Sequence, residues 1–162
     1  MSAITNINEF DPETAGNSEE IEQQFAVKTV QHLEAYEKLI GSIPPRKIKL
    51  TNMDDDIYED LMTQFPEFKF EEPLRHLDED AMKSAEGKPR WRKFIMAYEK
   101  TLTDYNFGTL IRQDASRGYA EDNCILVTRV QFVALEVARN RTGINDKFYE
   151  DQQALKAAAK SS

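Results

Sequence analysis

The chain contains few of the residues from which most catalytic and metal sites are built. Its 162 residues include one cysteine, Cys124, and two histidines, His32 and His76. A single thiol excludes an internal disulfide and any metal cluster made of cysteines alone. Neither histidine lies beside a nucleophile or at the spacing of a metal-ligand pair, so the sequence shows no complete catalytic set. We therefore expect neither a cofactor nor a bound metal.

Long apolar runs and phosphate-binding glycines are also missing. The longest apolar runs are only a few residues, which is too short to span a membrane. The acidic N-terminal stretch has no apolar core, so we expect no secretory signal. Gly87-Lys88-Pro89 lacks the preceding glycine and the following serine or threonine of a phosphate loop. These absences favour a cytoplasmic protein without a membrane partner.

Charge is abundant but unevenly distributed along the chain. Residues 1–86 carry 8 Lys/Arg against 20 Asp/Glu, whereas residues 87–162 carry 13 against 9, and the net charge is −8. Nucleic-acid binding needs a basic footprint, so an acidic chain of this kind predicts no nucleic-acid partner. The second half nevertheless has enough positive charge for a smaller basic patch.

Helical patterns dominate the first hundred residues. The first predicted helix begins at Asn17 or Ser18. Gly41 is expected to be the residue that follows its C-terminal cap. A second helix starts at the aspartates 54–56, which lack the alternating ligands and the turn glycine of a calcium loop. Asp78 is expected to cap a short third helix.

A basic flank marks the next predicted helix, which runs from Pro89 through Tyr98. Arg90, Arg92 and Lys93 lie on the side opposite its apolar residues. Such a flank is commonly a solvated surface. It is also the best candidate in this half of the chain for a contact with an acidic or phosphate-bearing partner.

Two short apolar runs then predict an antiparallel β-hairpin. Residues 107–112 and 124–127 are separated by a polar loop that carries Asp114 and Gly118. The loop is long for a tight turn, and long ordered loops are more often functional than short ones.

The helix predicted after the hairpin, from Val130 to Arg141, is apolar nearly all round and should be buried. Gln131, Glu136, Arg139 and Asn140 are embedded in it, and buried polar groups need partners. Two interpretations stay open, a structural polar network and a binding surface at the C-terminal end of the helix.

Glu136 is the polar residue of this helix for which the sequence suggests partners. Arg139 lies at i+3, a spacing that brings the two side chains together. Arg112 and Arg129 of the hairpin are the alternatives. We therefore predict that Glu136 pairs with at least one of these three arginines.

The predicted fold is mainly α, with about five helices and one small antiparallel hairpin in a single domain. That domain spans residues 17–146. Residues 1–16 have no period and are expected to be disordered, and residues 147–162 are expected to be a flexible or loosely helical tail. Gly143 fits the position after the last core helix.

Several phrases of the sequence together resemble one family. They are Ile21-Glu22-Gln23-Gln24-Phe25-Ala26-Val27, Tyr58-Glu59-Asp60, Arg90-Trp91-Arg92-Lys93-Phe94, Tyr105-Asn106-Phe107-Gly108-Thr109-Leu110, Arg112 with Asp114, Val127-Thr128-Arg129-Val130-Gln131-Phe132, and Glu136-Val137-Ala138-Arg139-Asn140. In this order they are similar to the eukaryotic polysaccharide biosynthesis domain-containing family. No single phrase is specific, but the combination covers roughly residues 15–146.

The resemblance implies a small, mostly helical cytosolic chaperone dedicated to newly made translation elongation factor 1 alpha. Ribosome-associated factors are further candidate partners, and we expect a monomer. The family label suggests an alternative, an enzyme of polysaccharide biosynthesis acting on a sugar precursor. The candidate client-binding residues are Arg90, Arg92, Lys93, Arg112, Asp114, Arg129, Gln131, Glu136, Arg139 and Asn140.

Overall fold

The computed structural model describes residues 18–161, with side chains from residue 26 onward. Within this range it has seven α-helices and one two-stranded antiparallel sheet, so the predicted mainly α fold with a hairpin is confirmed. The predicted N-terminal segment 1–16 lies outside the described residues. The elements are α1 (Ser18–Ser42), α2 (Asp54–Gln64), α3 (Glu71–Arg75), α4 (Glu79–Met82), α5 (Gly87–Met96), β1 (Gly108–Arg112), β2 (Cys124–Thr128), α6 (Arg129–Arg141) and α7 (Asp146–Ser161).

The end of α1 differs from the sequence prediction. Gly41 lies inside the helix, which ends at Ser42, and is not the residue after it. Its small size has a different use, because a Cβ atom at Gly41 would lie 3.1 Å from Cγ of Gln152 on α7. The Gln153 side-chain amide donates to the Gly41 carbonyl at 2.8 Å. The glycine therefore permits close packing of α7 against α1.

This packing also changes the picture of the C-terminal segment. Residues 146–161 form a helix whose Phe148 is buried, whereas Leu155 is 63% exposed. The first half of the predicted tail therefore belongs to the core, and flexibility of the second half stays a prediction. Gly143 has a φ of +87°, as expected for the residue that follows the cap of α6.

Two shorter elements also correct the predicted bounds. Helix α3 lies between the second and third predicted helices, in a stretch for which the sequence pattern predicted no helix. Helix α5 begins at Gly87, two residues before the predicted start. A Cβ atom at Gly87 would collide with the carbonyl oxygen of Ala81 in α4, so only glycine allows this close approach. The Asp78 cap is confirmed by its bond from the Ala81 amide.

The start of α2 has a structural explanation. The Asp54 carboxylate accepts the backbone N–H groups of Leu50 and Thr51 at 2.7 and 2.8 Å, which orders the segment before the helix. Acidic residues in the first turn also complement the helix dipole. No group of His, Cys, Asp and Glu in residues 18–161 is arranged to hold a metal ion.

The hairpin and α6 form the centre of the molecule. Strands β1 and β2 pair from Gly108↔Thr128 to Arg112↔Cys124. Thr128 and Gln131 form a capping box, so β2 continues directly into α6. Every residue of α6 from Val130 to Asn140 is buried, and α2 packs against this helix. Among the helices described here, none has the length and apolar composition to cross a bilayer.

Candidate functional site

The structure separates the ten candidate client-binding residues into two groups. The buried group consists of Arg112, Gln131, Glu136, Arg139 and Asn140, and the accessible group of Arg90, Arg92, Lys93, Asp114 and Arg129. A side chain inside the core cannot contact a partner while the protein keeps this fold. The first group therefore has a structural role, and the second contains the surface candidates.

Glu136 is the centre of the buried group. Its carboxylate accepts from Tyr36 Oη at 2.8 Å, Arg112 Nη2 at 3.1 Å, Arg139 Nη1 at 2.9 Å and Asn145 Nδ2 at 3.0 Å. Burial acts to raise the pKa of Glu136, but the two guanidinium groups and the hydrogen bonds together lower it to about 2. The carboxylate is therefore ionised and fully partnered.

The predicted ion pair of Glu136 is confirmed, and it has two partners. Arg139 and Arg112 both contact the carboxylate, each with a side chain that is 0% exposed. Arg129 is not a partner, because it lies on the surface at the start of α6, two helical turns before Glu136. The interpretation as a structural polar network is the one that the geometry supports.

The two arginines extend this network to the backbone of neighbouring segments. Arg139 donates to the carbonyls of Leu74 in α3 and Arg112 in β1, each at 2.9 Å. Arg112 donates to the Ala115 carbonyl at 2.8 Å and to Asn145 Oδ1 at 2.7 Å. These bonds join α3, the hairpin, α6 and the start of α7.

Asp114 and Glu136 belong to different hydrogen-bond networks. Asp114 accepts from the Ser116 hydroxyl at 2.6 Å and lies 3.0 Å from His76 Nε2, so the two carboxylates have separate partners. A general base needs a free lone pair aimed at the substrate. Glu136 cannot meet this condition, because its side chain is 0% exposed and its carboxylate is surrounded by four donors of the protein.

His76 connects α3 with the hairpin loop. Its Nδ1 lies 2.7 Å from Glu72 Oε1, and its Nε2 faces Asp114. The hydrogen bond to Glu72, together with the Asp114 carboxylate, raises the pKa of His76 above its usual 6.5. This side chain is 47% exposed, so the contact is a surface clasp and not a buried ion pair.

The basic flank of α5 is less uniform than its sequence suggests. Arg90 donates to both carboxylate oxygens of Glu67, at 2.8 and 3.0 Å, and its guanidinium lies 4.4 Å from the centroid of the Phe65 ring. Arg92 and Lys93 are exposed and form no ion pair with the residues that the structure describes. Arg92 and Lys93 are therefore the members of the flank that a partner can reach.

A cleft lies beside this flank, between α5 and β2, and we call it the α5–β2 cleft. Its volume is about 270 Å³. Trp91, Ile95 and Met96 line it from α5, and Leu126 and Val127 from β2. The sequence pattern placed the apolar residues of this helix opposite its basic flank and gave no indication of a cleft.

Comparison with known proteins identifies the family. The profile described as PBDC1 protein matches residues 21–150. A PBDC1 homolog of Saccharomyces cerevisiae is 50% identical over 137 residues, which are 85% of this chain and 94% of the relative. The chain belongs to the PBDC1 family. A PBDC1 homolog of Schizosaccharomyces pombe is 48% identical over 142 residues, 88% of this chain and 97% of the relative.

A solved structure also resembles this fold. A solution NMR structure of a Saccharomyces cerevisiae protein superposes with a TM-score of 0.77 at 48% sequence identity. It covers 87% of this chain and 97% of the other. The family resemblance inferred from the sequence phrases is confirmed, while the names of these relatives state no activity.

Two members of the buried network were missed by sequence reasoning. Neither Tyr36 nor Asn145 was among the candidate residues. Tyr36 contacts Glu136 across 100 positions of sequence, and no local spacing reports such a contact. The sequence could have indicated only that Tyr36 needs a hydrogen-bond partner, because a buried tyrosine hydroxyl is normally bonded.

Proposed function

We propose that this PBDC1-family chain is an ATP-independent chaperone for newly made translation elongation factor 1 alpha in the cytoplasm. The observation that carries the proposal is the family match over residues 21–150, because the resemblance to this family implies that activity. On this proposal the protein acts as a monomer. Factors associated with the ribosome are further candidate partners.

A chaperone of this kind does not need to hydrolyse a nucleotide. It binds a partly folded client and loses affinity once the client has buried the recognised surface. The sequence has no glycine-rich phosphate loop. We therefore assign release to the folding of the client or to the binding of the client's own ligand.

The accessible candidates define where the client is expected to bind. Arg92, Lys93 and Arg129 are exposed, whereas the buried network holds the scaffold that carries them. Val27 and Val30 of α1 are 56% and 49% exposed, and lie three residues apart on one helix. Exposed apolar side chains and exposed cationic side chains suit a client that presents both apolar segments and carboxylates.

Affinity purification from a translating extract tests this function. We expect strong enrichment of elongation factor 1 alpha and of the messenger RNA that encodes it. Charge reversal by Lys93→Glu with Arg129→Glu is expected to weaken the enrichment. Lys47→Glu with Lys49→Glu is the matched control, because it changes the charge equally at two exposed lysines outside the candidate set. Absence of the elongation factor from the bound fraction would contradict the proposal.

A refolding assay separates chaperoning from simple binding. Purified elongation factor 1 alpha is unfolded, diluted into buffer with this protein, and assayed for soluble, guanine-nucleotide-binding product. We expect a higher yield without added ATP and no change for an unrelated protein of similar size. Turnover of a sugar nucleotide by the purified chain would instead favour the enzymatic alternative.

A further inference from the structure

The α5–β2 cleft follows the outer edge of the hairpin. Successive residues of a strand point to opposite faces of a sheet. Val127 is 6% exposed and faces the core, and Leu126 beside it is half-buried. Since both residues line the cleft, the cleft runs along the edge of β2 and not over one face.

The hydrogen bonds at both ends of the hairpin show which backbone groups face this edge. The Gln113 N–H donates to the Asn123 carbonyl, and the Arg129 N–H donates to the Phe107 carbonyl, at 2.9 and 2.8 Å. In an antiparallel ladder, bonded and non-bonded pairs alternate. The pairs Thr109↔Val127 and Ile111↔Ile125 are therefore the hydrogen-bonded ones. Leu126 belongs to a non-bonded pair, so its N–H and C=O groups point away from β1.

These groups of Leu126 have no partner among the described residues. The sheet has two strands, and no other hydrogen bond of residues 18–161 reaches the Leu126 backbone. Thr128, the next outward-pointing residue, donates its N–H to the Gln131 side chain at 2.9 Å. One end of the edge is thus closed by the capping box, and the part next to the cleft is open.

The rim of the cleft is positively charged. Lys83, Lys88 and Arg92 line it. Lys83 is bound to Glu79, whereas Lys88 and Arg92 form no ion pair with any residue in the described part of the chain. Residues 83–93 contain five cationic side chains and one carboxylate, in a chain whose net charge is −8.

The charge decides which kind of strand can pair here. Cations beside an open edge oppose pairing with a second copy of the same edge, which would bring like charges together. An acidic segment meets complementary charge instead. An apolar side chain of such a segment would occupy the cleft beside Trp91 and Met96.

We propose that the α5–β2 cleft binds an extended acidic peptide segment of another protein, which adds to β2 as a third strand. Main-chain hydrogen bonds to Leu126 hold the segment, as in other strand-addition sites. One apolar side chain enters the cleft, and flanking carboxylates contact Lys88 and Arg92. Arg92 is also one of the candidate client contacts, whereas Lys88 and Leu126 are not. The peptide site does not depend on the chaperone function.

The test uses the full chain, labelled with ¹⁵N, and a blocked nine-residue peptide in which glutamate and valine alternate. We expect the largest chemical-shift changes at the amides of Cys124 and Leu126. The same peptide with lysine in place of glutamate should bind at least about tenfold more weakly. Equal binding of the two peptides, or shifts confined to other parts of the chain, would overturn the proposal.

Two variants separate the site from general electrostatics. Lys88→Glu with Arg92→Glu should weaken binding of the glutamate peptide by about tenfold or more. Lys47→Glu with Lys49→Glu makes the same change in net charge outside the cleft and should preserve the affinity within about twofold. Equal losses in both variants would show that only net charge attracts the peptide, and this would overturn the proposal.

A modified peptide tests the strand geometry. N-methylation of alternate peptide amides removes their hydrogen bonds to an edge strand but keeps every charge and side chain. We expect methylation on the amides that face β2 to abolish binding, and methylation on the opposite amides to preserve it. Equal binding of the two methylated peptides would overturn strand addition.

Discussion

Tyr36 donates its hydroxyl to Glu136 at 2.8 Å and so connects the first helix to the buried helix that follows the hairpin. The hydroxyl is neutral, because burial and the adjacent Glu136 carboxylate raise the pKa of Tyr36 well above 10. It therefore acts as a donor at physiological pH. Together with Arg112 and Arg139, it leaves the carboxylate at the centre of this PBDC1-family fold fully satisfied.

Removal of the Glu136 carboxylate should be strongly destabilising. Glu136→Ala leaves two buried guanidinium groups without their counter-ion, which costs about 3–5 kcal/mol of unfolding free energy. Urea denaturation followed by circular dichroism measures this loss. Glu150→Ala is the matched control, since this glutamate is exposed on α7, and it should change stability by less than about 0.5 kcal/mol. Equal stability of the two variants would contradict the network.

The same carboxylate gives the stability a defined pH dependence. The pKa of Glu136 is about 2 in the folded state and 4.5 without the protein environment. Its contribution is therefore fully present above pH 4.5 and is lost as the pH falls toward 2. We expect the difference in unfolding free energy between the native chain and Glu136→Gln to shrink from pH 7 to pH 3. A difference that does not depend on pH would contradict this assignment.

The two histidines should titrate on opposite sides of 6.5. The clasp with Glu72 and Asp114 raises the pKa of His76, whereas burial and the nearby Arg129 lower the pKa of His32. Stabilisation by the His76 clasp is thus present below pH 6.5 and is lost as the pH rises through the higher folded-state value. NMR titration of the imidazole C–H signals measures both midpoints.

A single variant checks the cause of the His76 shift. Glu72→Gln should lower the midpoint of His76, because the Glu72 hydrogen bond is its largest cause, and leave that of His32 unchanged. The reversed order of the two midpoints in the native chain would refute the assignment.

The C-terminal helix should divide into a core half and a surface half. Phe148 is 5% exposed, so Phe148→Ala should cost about 3–5 kcal/mol through lost burial and the cavity that remains. Leu155 lies on the same helix but is 63% exposed, and Leu155→Ala should change stability by less than about 0.5 kcal/mol. Thermal unfolding compares the two. Similar melting temperatures would show that α7 does not pack on α1 in solution.

Sequence patterns predicted much of this fold because the interactions behind them join residues that are close in the chain. The alternation of the hairpin, the Asp78 cap and the left-handed Gly143 each depend on residues within a few positions. The pair of Glu136 with Arg139 is also local, since i+3 spacing on a helix places the side chains together. Arg112 was a candidate partner because a charge in an apolar helix requires one.

Three features depend on contacts between segments that are distant in sequence: the place of Gly41, the packing of α7 and the α5–β2 cleft. Gly41 had the sequence context of a helix end, but it lies inside α1, where the missing Cβ allows α7 to pack closely. The segment that forms α7 has too few apolar residues for the sequence to predict that it packs on the core. Its buried residue is Phe148. The α5–β2 cleft exists because two elements that are distant in sequence do not close completely over an open strand edge.

Residue patterns along the chain were enough to predict α1, α2, the hairpin, the burial of α6 and the need of Glu136 for a positive partner. The contacts of Tyr36 and Asn145 with that network, and the exposure of five of the ten candidate residues, follow from the packing of distant segments. The physical reason is that periodicity fixes which side of a helix is apolar, while the partner of a polar atom depends on chain segments that meet only on folding.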